Sequence, residues 1–203
     1  MGAGAESPQS GGTFRFASGS SPRTLDPHVA YDTVSFKVVR LLFDGLLDYD
    51  HEARLVPRIA AELPTVSDEG RQFVFRLRDG VRFHDGESVD ADAVVASMHR
   101  LLHRDTASPG STFYSAIVGA EAYHRGETDR IQGIERIDRL RVSFRLNEAD
   151  QTFLNAMAMP FAYPMSMRAV AEAERLGRAE VGRRPVGTGP FRLESWERGV
   201  KIV

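Results

Sequence analysis

The sequence contains no cysteine in its 203 residues. Without a thiol, the chain can form no disulfide, no thiolate metal site and no cysteine nucleophile. It also lacks any apolar run that approaches the roughly 18 residues of a membrane-spanning helix. The amino-terminal stretch MGAGAESPQSGG has no basic segment followed by an apolar one, so no signal peptide is visible. We interpret residues 1–11 as a flexible leader that lies outside the fold.

An excess of charge of one sign is missing too. Lys and Arg total 26 against 28 Asp and Glu, which gives a formal net charge of −2. The basic residues are scattered, so no strong positive field favours nucleic acid or an anionic membrane as a partner. With 42% hydrophobic and 27% charged residues, the composition is typical of one folded unit, or two small ones, with a real core.

The amino-terminal part of the chain predicts a strand, a loop and a helix. GTFRFAS alternates apolar and polar residues and predicts a strand over residues 12–18, and the polar loop GSSPRTLDP follows it. Apolar residues then recur at helical spacing, where Asp32 or Thr33 can cap the helix and Gly45 can end it. LLDYD looks extended, and HEARLVPRIAAELPT predicts a turn and a short helix that is stopped by Pro64.

Two strand pairs are predicted on either side of a capped helix. VSDEGRQFVFRLRDGVRF gives the clearest strand signal, with Phe73 and Phe75 on one face, and IERIDRLRVSFRLN gives the second pair. Between them lies a helix from about Asp90 to His103. Further helices are predicted in TFYSAIVGAEAYHRG, ADQTFLNAMAM and MSMRAVAEAERLG, and a terminal hairpin in FRLESWERGVKIV.

The stretch RFHDGESVD raises the question of a catalytic or metal-binding cluster. His84 is followed by His99 and His103, whose i, i+4 spacing binds zinc when a Glu and a third ligand join it, but the sequence reads HRLLH. The ordinary structural interpretation explains more residues. Asp85-Gly86 forms a turn, Asp90 caps the helix, and His84 makes a local hydrogen bond at the turn. We therefore expect no metal and no cofactor.

Two other stretches match enzyme motifs only in part. SGSS, at residues 18–21, is not the G-x-S-x-G nucleophile elbow. VGTGPF lacks the G-x-x-x-x-G-K-[ST] spacing of a phosphate-binding loop, and Pro190 would disrupt a helix after it. We interpret VGTGPF as a tight turn.

Four separated stretches resemble one family. FRLRDGVRFHDGESVDADAVVASMHRLL closely resembles the signature of the family 5 extracellular solute-binding proteins, the peptide-, dipeptide- and nickel-binding components of bacterial ABC importers. The matching residues are Leu77, Arg78, Gly80, Val81, Phe83, His84, Asp85, Gly86, Ser97 and Arg100. Ala93 departs from the family's usual Asp. SSPRTLDPHVAYD, LLFDGLLDYD and RRPVGTGPFRLESWERG also resemble family segments, in order, so that the resemblance spans about residues 12–203.

The resemblance implies a mixed α/β fold of the type II periplasmic-binding-protein kind. Such proteins are two-lobed clamps with an extra domain inserted in the first lobe. Carried over, residues 12–48 form the first part of lobe one, residues 49–155 the inserted α+β domain, and residues 156–203 the return to lobe one. The second lobe would lie beyond Val203, and we expect the chain to be truncated inside its last hairpin.

The resemblance also implies a function without catalysis. The protein would be the substrate-binding component of an ABC importer, which captures a peptide or a similar small solute between two lobes and delivers it to a membrane permease. We expect a periplasmic or extracellular monomer, membrane-associated if lipidated, with no transmembrane segment and no nucleic-acid partner. The alternatives are a solute-sensing regulatory module of the same fold and a metal-dependent hydrolase that uses His84.

The loop after the first strand faces the ligand crevice in the resembling proteins. The resemblance therefore implies that Ser20, Ser21 and Pro22 contact the ligand, together with Tyr31 at the start of the next helix. Hydroxyl and free backbone groups there could pair with a peptide backbone. The alternative is an ordinary solvated loop.

Overall fold

The computed structural model describes residue 15 and residues 17–203. The predicted leader over residues 1–11 and most of the strand predicted over residues 12–18 lie outside this part of the chain. The α-helices of the described part are α1 (Thr33–Leu42), α2 (Ala91–Leu102), α3 (Ala120–Arg125), α4 (Phe153–Met157), α5 (Met167–Glu174) and α6 (Arg178–Val181). The strands are β1 (Leu47–Tyr49), β2 (Leu55–Pro57), β3 (Thr65–Ser67), β4 (Gln72–Arg76), β5 (Ile134–Asp138), β6 (Arg141–Arg145), β7 (Trp196–Glu197) and β8 (Lys201–Ile202).

A four-stranded antiparallel sheet in the order β3-β4-β6-β5 is the largest sheet of the described residues. Phe73 of β4 is paired with Phe144 of β6. The ring of Phe144 also meets that of Phe75 edge-on, with 5.6 Å between the ring centroids. These side chains are buried and form the apolar face on which α2 packs. The alternation that predicted these strands is therefore confirmed. Two separate hairpins, β1-β2 and β7-β8, complete the strand pairing of the described residues.

Both predicted amino-terminal helix caps are present. The Asp90 carboxylate accepts a hydrogen bond from the backbone N–H of Ala93 at 2.9 Å, and that of Asp32 accepts one from Ser35 at 2.8 Å. Each bond satisfies a backbone donor that has no partner within its helix. The predicted end of α1 was wrong, because the helix stops at Leu42 rather than at Gly45. Phe43 is already extended there.

The short helix predicted within residues 51–65 is absent. The backbone N–H groups of Arg58 and Ala60 both donate to the carbonyl of Leu46, and that of Ile59 donates to the carbonyl of Gly45. These donors bond a distant part of the chain instead of the residue four positions earlier, as a helix requires. The local apolar pattern could not reveal this, because the competing partners lie outside the segment.

The fully buried apolar residues fall into two clusters. The larger cluster takes its members from residues 46–162 and includes the faces of the sheet and of α2. The smaller cluster takes its members from residues 25–43 and from residues 163–181. The chain therefore passes from the smaller cluster into the larger one and returns once. Within the described residues, no helix combines the length and the apolar character needed to cross a membrane.

Candidate functional site

The candidate site is the amino-terminal loop, which we define as residues 20–31. Ser20 and Ser21 are exposed at its beginning, and Tyr31, with 72% of its surface exposed, lies at its end. Pro22 is buried, so its ring packs into the protein. The Ser21 hydroxyl oxygen accepts a hydrogen bond of 3.0 Å from the backbone N–H of Gly199. This bond ties the loop to the turn between β7 and β8.

Asp26 organises the middle of the amino-terminal loop. Its carbonyl oxygen accepts hydrogen bonds from the backbone N–H groups of Val29 at 3.1 Å and Ala30 at 2.8 Å. Its carboxylate accepts a third bond, of 3.0 Å, from the backbone N–H of His28. Its own N–H donates to the hydroxyl of Thr24 at 3.1 Å. A single residue that is only 4% exposed therefore fixes the backbone on both of its sides.

Arg100 of α2, the helix that packs in the larger cluster, binds the Asp26 carboxylate. Its guanidinium donates to both carboxylate oxygens of Asp26, at 2.6 and 3.0 Å, and to Nδ1 of His28 at 3.0 Å. Since Nδ1 accepts, Nε2 of His28 carries the proton and donates to the carbonyl of Tyr163 at 3.1 Å. Burial, with the positive charge of Arg100 as the second cause, lowers the pKa of His28 to about 4.

Ser97 makes a second connection one turn earlier on α2. Its hydroxyl donates to the carbonyl of Ala93 at 2.7 Å and accepts the backbone N–H of Met165 at 2.9 Å. Ser97 and Arg100 therefore lie on one face of α2, and each of them binds a segment of the smaller cluster. Sequence reasoning matched both residues to the family signature but did not reveal this role, because their partners lie 68 and 74 positions away.

The turn at His84 binds the VGTGPF segment. The backbone N–H of His84 donates to the carbonyl of Gly187 at 2.8 Å, and its Nε2 donates to the carbonyl of Gly189, also at 2.8 Å. The prediction of a local hydrogen bond for this side chain was wrong, because the ring points to a segment that folds back from the other end of the chain. Asp44 adds a bond of 2.9 Å from its backbone N–H to the hydroxyl of Thr188.

Asp85 and Glu87 of the same turn bind the start of α5. The Asp85 carboxylate accepts the hydroxyl of Ser166 at 2.7 Å, and both carboxylates form ion pairs of 3.1 Å with Arg168. Burial alone would raise the pKa of Asp85, but the hydrogen bond from Ser166 and the charge of Arg168 hold it below its usual value. The carboxylates therefore act as structural acceptors.

His99 of α2 and His103, which directly follows the helix, both bond backbone groups. Nδ1 of His99 donates to the carbonyl of Val95 at 2.9 Å, and Nε2 accepts the backbone N–H of Ile131 at 3.3 Å. Nδ1 of His103 accepts the backbone N–H of Asp105 at 3.2 Å. Both ring nitrogens of His99 are therefore engaged. Over the described residues, no group of three or more His, Cys, Asp or Glu side chains is placed to hold a metal ion.

Comparison with known proteins identifies the family. Residues 54–203 match the family model described as "Bacterial extracellular solute-binding proteins, family 5 Middle". The chain belongs to the family 5 bacterial extracellular solute-binding proteins. The family resemblance drawn from the sequence motifs is thus confirmed.

Two curated relatives of this family 5 chain are named glutathione-binding proteins. The chain is 34% identical to the glutathione-binding protein GsiB of Salmonella paratyphi A over 182 residues, which cover 90% of this chain and 32% of GsiB. GsiB of Escherichia coli strain K12 gives the same figures of 34%, 90% and 32%. The chain therefore spans about a third of the length of the curated relatives that it matches.

Solved structures confirm the mixed α/β fold. The Escherichia coli murein tripeptide binding protein MppA superimposes with a TM-score of 0.82 at 26% identity, over 90% of this chain and 36% of MppA. The substrate-binding domain of an oligopeptide ABC transporter from Bacillus anthracis gives a TM-score of 0.81 at 27% identity, over 90% and 35% of the two chains. The fold predicted from the resemblance is the one that this family 5 chain adopts.

A cleft of about 950 Å³ opens at another part of the family 5 chain. It lies between α5, the segment over residues 183–186 and the β7-β8 hairpin. Its lining includes Trp196, whose indole N–H has no hydrogen-bond partner among the described residues, and Arg198, whose guanidinium lies 5.1 Å from the centre of the indole ring. None of the four predicted ligand-binding residues lines this cleft.

Proposed function

We propose that this chain forms part of the substrate-binding component of an ABC importer. The observation that carries the proposal is the amino-terminal loop, which exposes Ser20, Ser21 and Tyr31. Gly199 bonds its beginning at Ser21, and Asp26 and Arg100 hold the segment before Tyr31. Exposed groups on a rigid frame suit ligand capture, because little conformational freedom is lost when the ligand binds. Membership of a solute-binding family supports the same role.

The proposed ligand is a peptide or a peptide-like solute. The relatives named above are a glutathione-binding protein and a murein tripeptide binding protein, and both ligand names describe short peptides. Peptide recognition uses main-chain hydrogen bonds for affinity and side-chain pockets for specificity. The hydroxyls of Ser20 and Ser21 and the ring of Tyr31 supply a polar edge and an apolar surface for such a ligand.

We propose that the ligand is enclosed between two lobes, of which this chain supplies one wall. Residues 12–48 and 156–203 would belong to lobe one, and residues 49–155 to the inserted domain. The two core clusters support such a division in outline, although the buried residues change cluster after Phe43 and again after Ala162 rather than at the proposed bounds. The other lobe would be supplied by the part of the relatives' length that this chain does not span. Closure of the lobes by hinge motion would bury the ligand.

The proposed setting is the periplasm or the cell exterior, with membrane association if the protein is lipidated. There the protein would act as a monomer and deliver its ligand to the membrane permease of the transporter, with no nucleic-acid partner and no catalytic step. The histidine and carboxylate contacts described above support binding rather than catalysis, because these side chains bond the protein's own backbone and hydroxyl groups.

The test uses the native protein, captured from its source cells with an antibody raised against this chain. We expect an exported protein much heavier than 22.5 kDa that carries or binds peptides, as measured by mass spectrometry and calorimetry. The 203-residue chain alone should bind the same peptides weakly or not at all, because in the proposed two-lobed site it supplies only one wall. A native mass near 22.5 kDa without peptide binding would overturn the proposal, and micromolar binding by the 203-residue chain would contradict the two-lobed site.

A further inference from the structure

Arg100 reaches from the larger cluster into the amino-terminal loop. It grips the Asp26 carboxylate with both terminal nitrogens, Nη2 at 2.6 Å and Nη1 at 3.0 Å. The two side chains are only 12% and 6% exposed. A two-pronged guanidinium–carboxylate bond fixes direction as well as distance, and exclusion of water strengthens it. The pair therefore determines where the Asp26 carboxylate points.

The Asp26 carboxylate in turn holds the loop backbone at His28. The carboxylate accepts the backbone N–H of His28, and the main-chain carbonyl of the same residue accepts those of Val29 and Ala30. A buried carboxylate that lost its cation would be drawn towards water, because an unpaired buried charge is strongly unfavourable. The N–H of His28 would then lose its acceptor, and the main-chain turn that bonds Val29 and Ala30 would lose the side-chain bond that braces it.

We propose that Arg100 is a positioning residue for ligand binding. By holding Asp26 and His28, it sets the shape of the amino-terminal loop without contacting the ligand itself. This inference rests on the proposed function, because the contact between the loop and a ligand is itself part of that proposal. The proposal gives α2 a role in the binding site, although α2 belongs to the larger cluster and the loop to the smaller one.

Substitution of Arg100 by lysine distinguishes the effect of the positive charge from the effect of the guanidinium's shape. Nη1 of Arg100 donates to Nδ1 of His28 at 3.0 Å while it also bonds Asp26. The single ammonium of lysine keeps the positive charge but cannot present a planar fork to two carboxylate oxygens and an imidazole together. Arg100→Lys should therefore keep the buried charge balanced and loosen the loop.

The competing explanation is that Arg100 only stabilises the fold. Ser97→Ala provides the matched control, because Ser97 lies one turn earlier on α2 and binds the backbone N–H of Met165 rather than the amino-terminal loop. Affinities are measured well below the melting temperature of every variant. Since almost all molecules are then folded, a loss of global stability alone leaves the dissociation constant unchanged.

The experiment uses the native protein expressed from its complete gene, with reduced glutathione and Ala-Ala-Ala as probes in calorimetry. For each probe that binds the unmodified protein, Arg100→Lys should weaken binding by about 3- to 30-fold, whereas Ser97→Ala should change it by less than about twofold. Backbone hydrogen exchange at His28, Val29 and Ala30 should become faster in Arg100→Lys and stay unchanged in Ser97→Ala.

The outcomes separate this inference from the proposed function. Equal affinities for Arg100→Lys and the unmodified protein, both folded, would overturn the positioning role. Unchanged exchange in the loop of Arg100→Lys would overturn it as well, whether or not a probe binds. If neither probe binds the unmodified protein, glutathione and unsubstituted tripeptides are excluded as its ligands. Faster loop exchange in Arg100→Lys would then still support the contact between Arg100 and the loop.

Discussion

Nε2 of His84 lies 2.8 Å from the carbonyl oxygen of Gly189, a residue 105 positions further along the chain. The backbone N–H of His84 bonds the carbonyl of Gly187 as well, so one residue holds two alternate carbonyls of the VGTGPF segment. The same segment is bound from the other side, where the N–H of Gly189 donates to the carbonyl of Leu42 at 2.9 Å. The His84 turn is therefore a connector between distant parts of this family 5 chain.

Gly189→Ala should destabilise the protein strongly. A Cβ atom at this position would lie 2.6 Å from the carbonyl oxygen of Leu41 and 2.7 Å from the backbone nitrogen of Phe43. Backbone atoms cannot rotate away as a side chain can, so we expect a loss of about 2 kcal/mol or more in the free energy of unfolding. Urea unfolding of the native protein measures it. Gly19→Ala is the control, because nothing lies within 4 Å of its added methyl group, and an equal loss in both variants would contradict the close approach.

His84→Ala should lower stability without removing any metal-dependent property. The substitution leaves the carbonyl of Gly189 without this donor, which costs about 1 to 2 kcal/mol. His84→Gln, whose amide can donate in place of Nε2–H, should recover part of the loss. Thermal unfolding with and without zinc checks both points. If zinc raised the melting temperature of the unmodified protein but not that of His84→Ala, the connector role would be incomplete and the metal-dependent alternative would gain support.

The buried His28 should make the protein sensitive to acid. Burial and the charge of Arg100 lower its pKa from 6.5 to about 4. Between these two values the unfolded chain binds a proton that the folded protein does not bind. The contribution of neutral His28 to stability is therefore fully present above about pH 6.5 and is lost as the pH falls towards 4. The contribution is up to about 3 kcal/mol.

The pH dependence can be assigned to His28 by a difference measurement. The free energy of unfolding is determined from pH 7 to about pH 4 for the unmodified protein, for His28→Gln and for His51→Gln, whose side chain is 85% exposed. His28→Gln should have a smaller slope over this range because it lacks the titrating group. His51→Gln should keep the slope of the unmodified protein. Equal slopes in all three proteins would show that His28 is not responsible.

Tyr31→Ala should weaken ligand binding and leave stability unchanged. The side chain is 72% exposed, and substitutions at such positions usually change stability by less than about 0.5 kcal/mol. Loss of an aromatic contact to a peptide should reduce affinity by about fivefold or more. Calorimetry with a bound peptide and thermal unfolding test the two statements. Val66→Ala, on the edge strand β3 and 48% exposed, is the control, and parallel behaviour of the two variants would place the ligand away from Tyr31.

The sequence was informative wherever structure depends on neighbouring residues. The alternation of Phe73 and Phe75 predicted β4 because one face of the strand is buried, and Asp90 predicted the start of α2 because its partner lies three residues away. The helix expected within residues 51–65 was wrong, because its backbone donors bond the chain near Leu46. Secondary structure set by distant partners cannot be read from local pattern.

The candidate site was accessible to sequence reasoning only through the family resemblance. Ser20, Ser21 and Tyr31 are ordinary loop residues, and nothing in their spacing predicts a shared role. The residues that hold the loop were missed as such. Asp26 and Arg100 are separated by 74 positions, and no local rule connects an acidic residue before a proline to an arginine at the end of a helix. Their bond exists only because the two clusters pack together.

The two chain crossings between the core clusters lie side by side. Gly45, just before the first residue of the larger cluster, packs so closely on the ring of Tyr163, just after its last residue, that a Cβ atom would lie 2.6 Å from Cε1. The segment that forms the larger cluster therefore begins and ends at neighbouring positions. Residues can therefore be added or removed within this segment without changing the separation of its two ends, as long as the contacts of His84, Ser97 and Arg100 with the rest of the chain are kept.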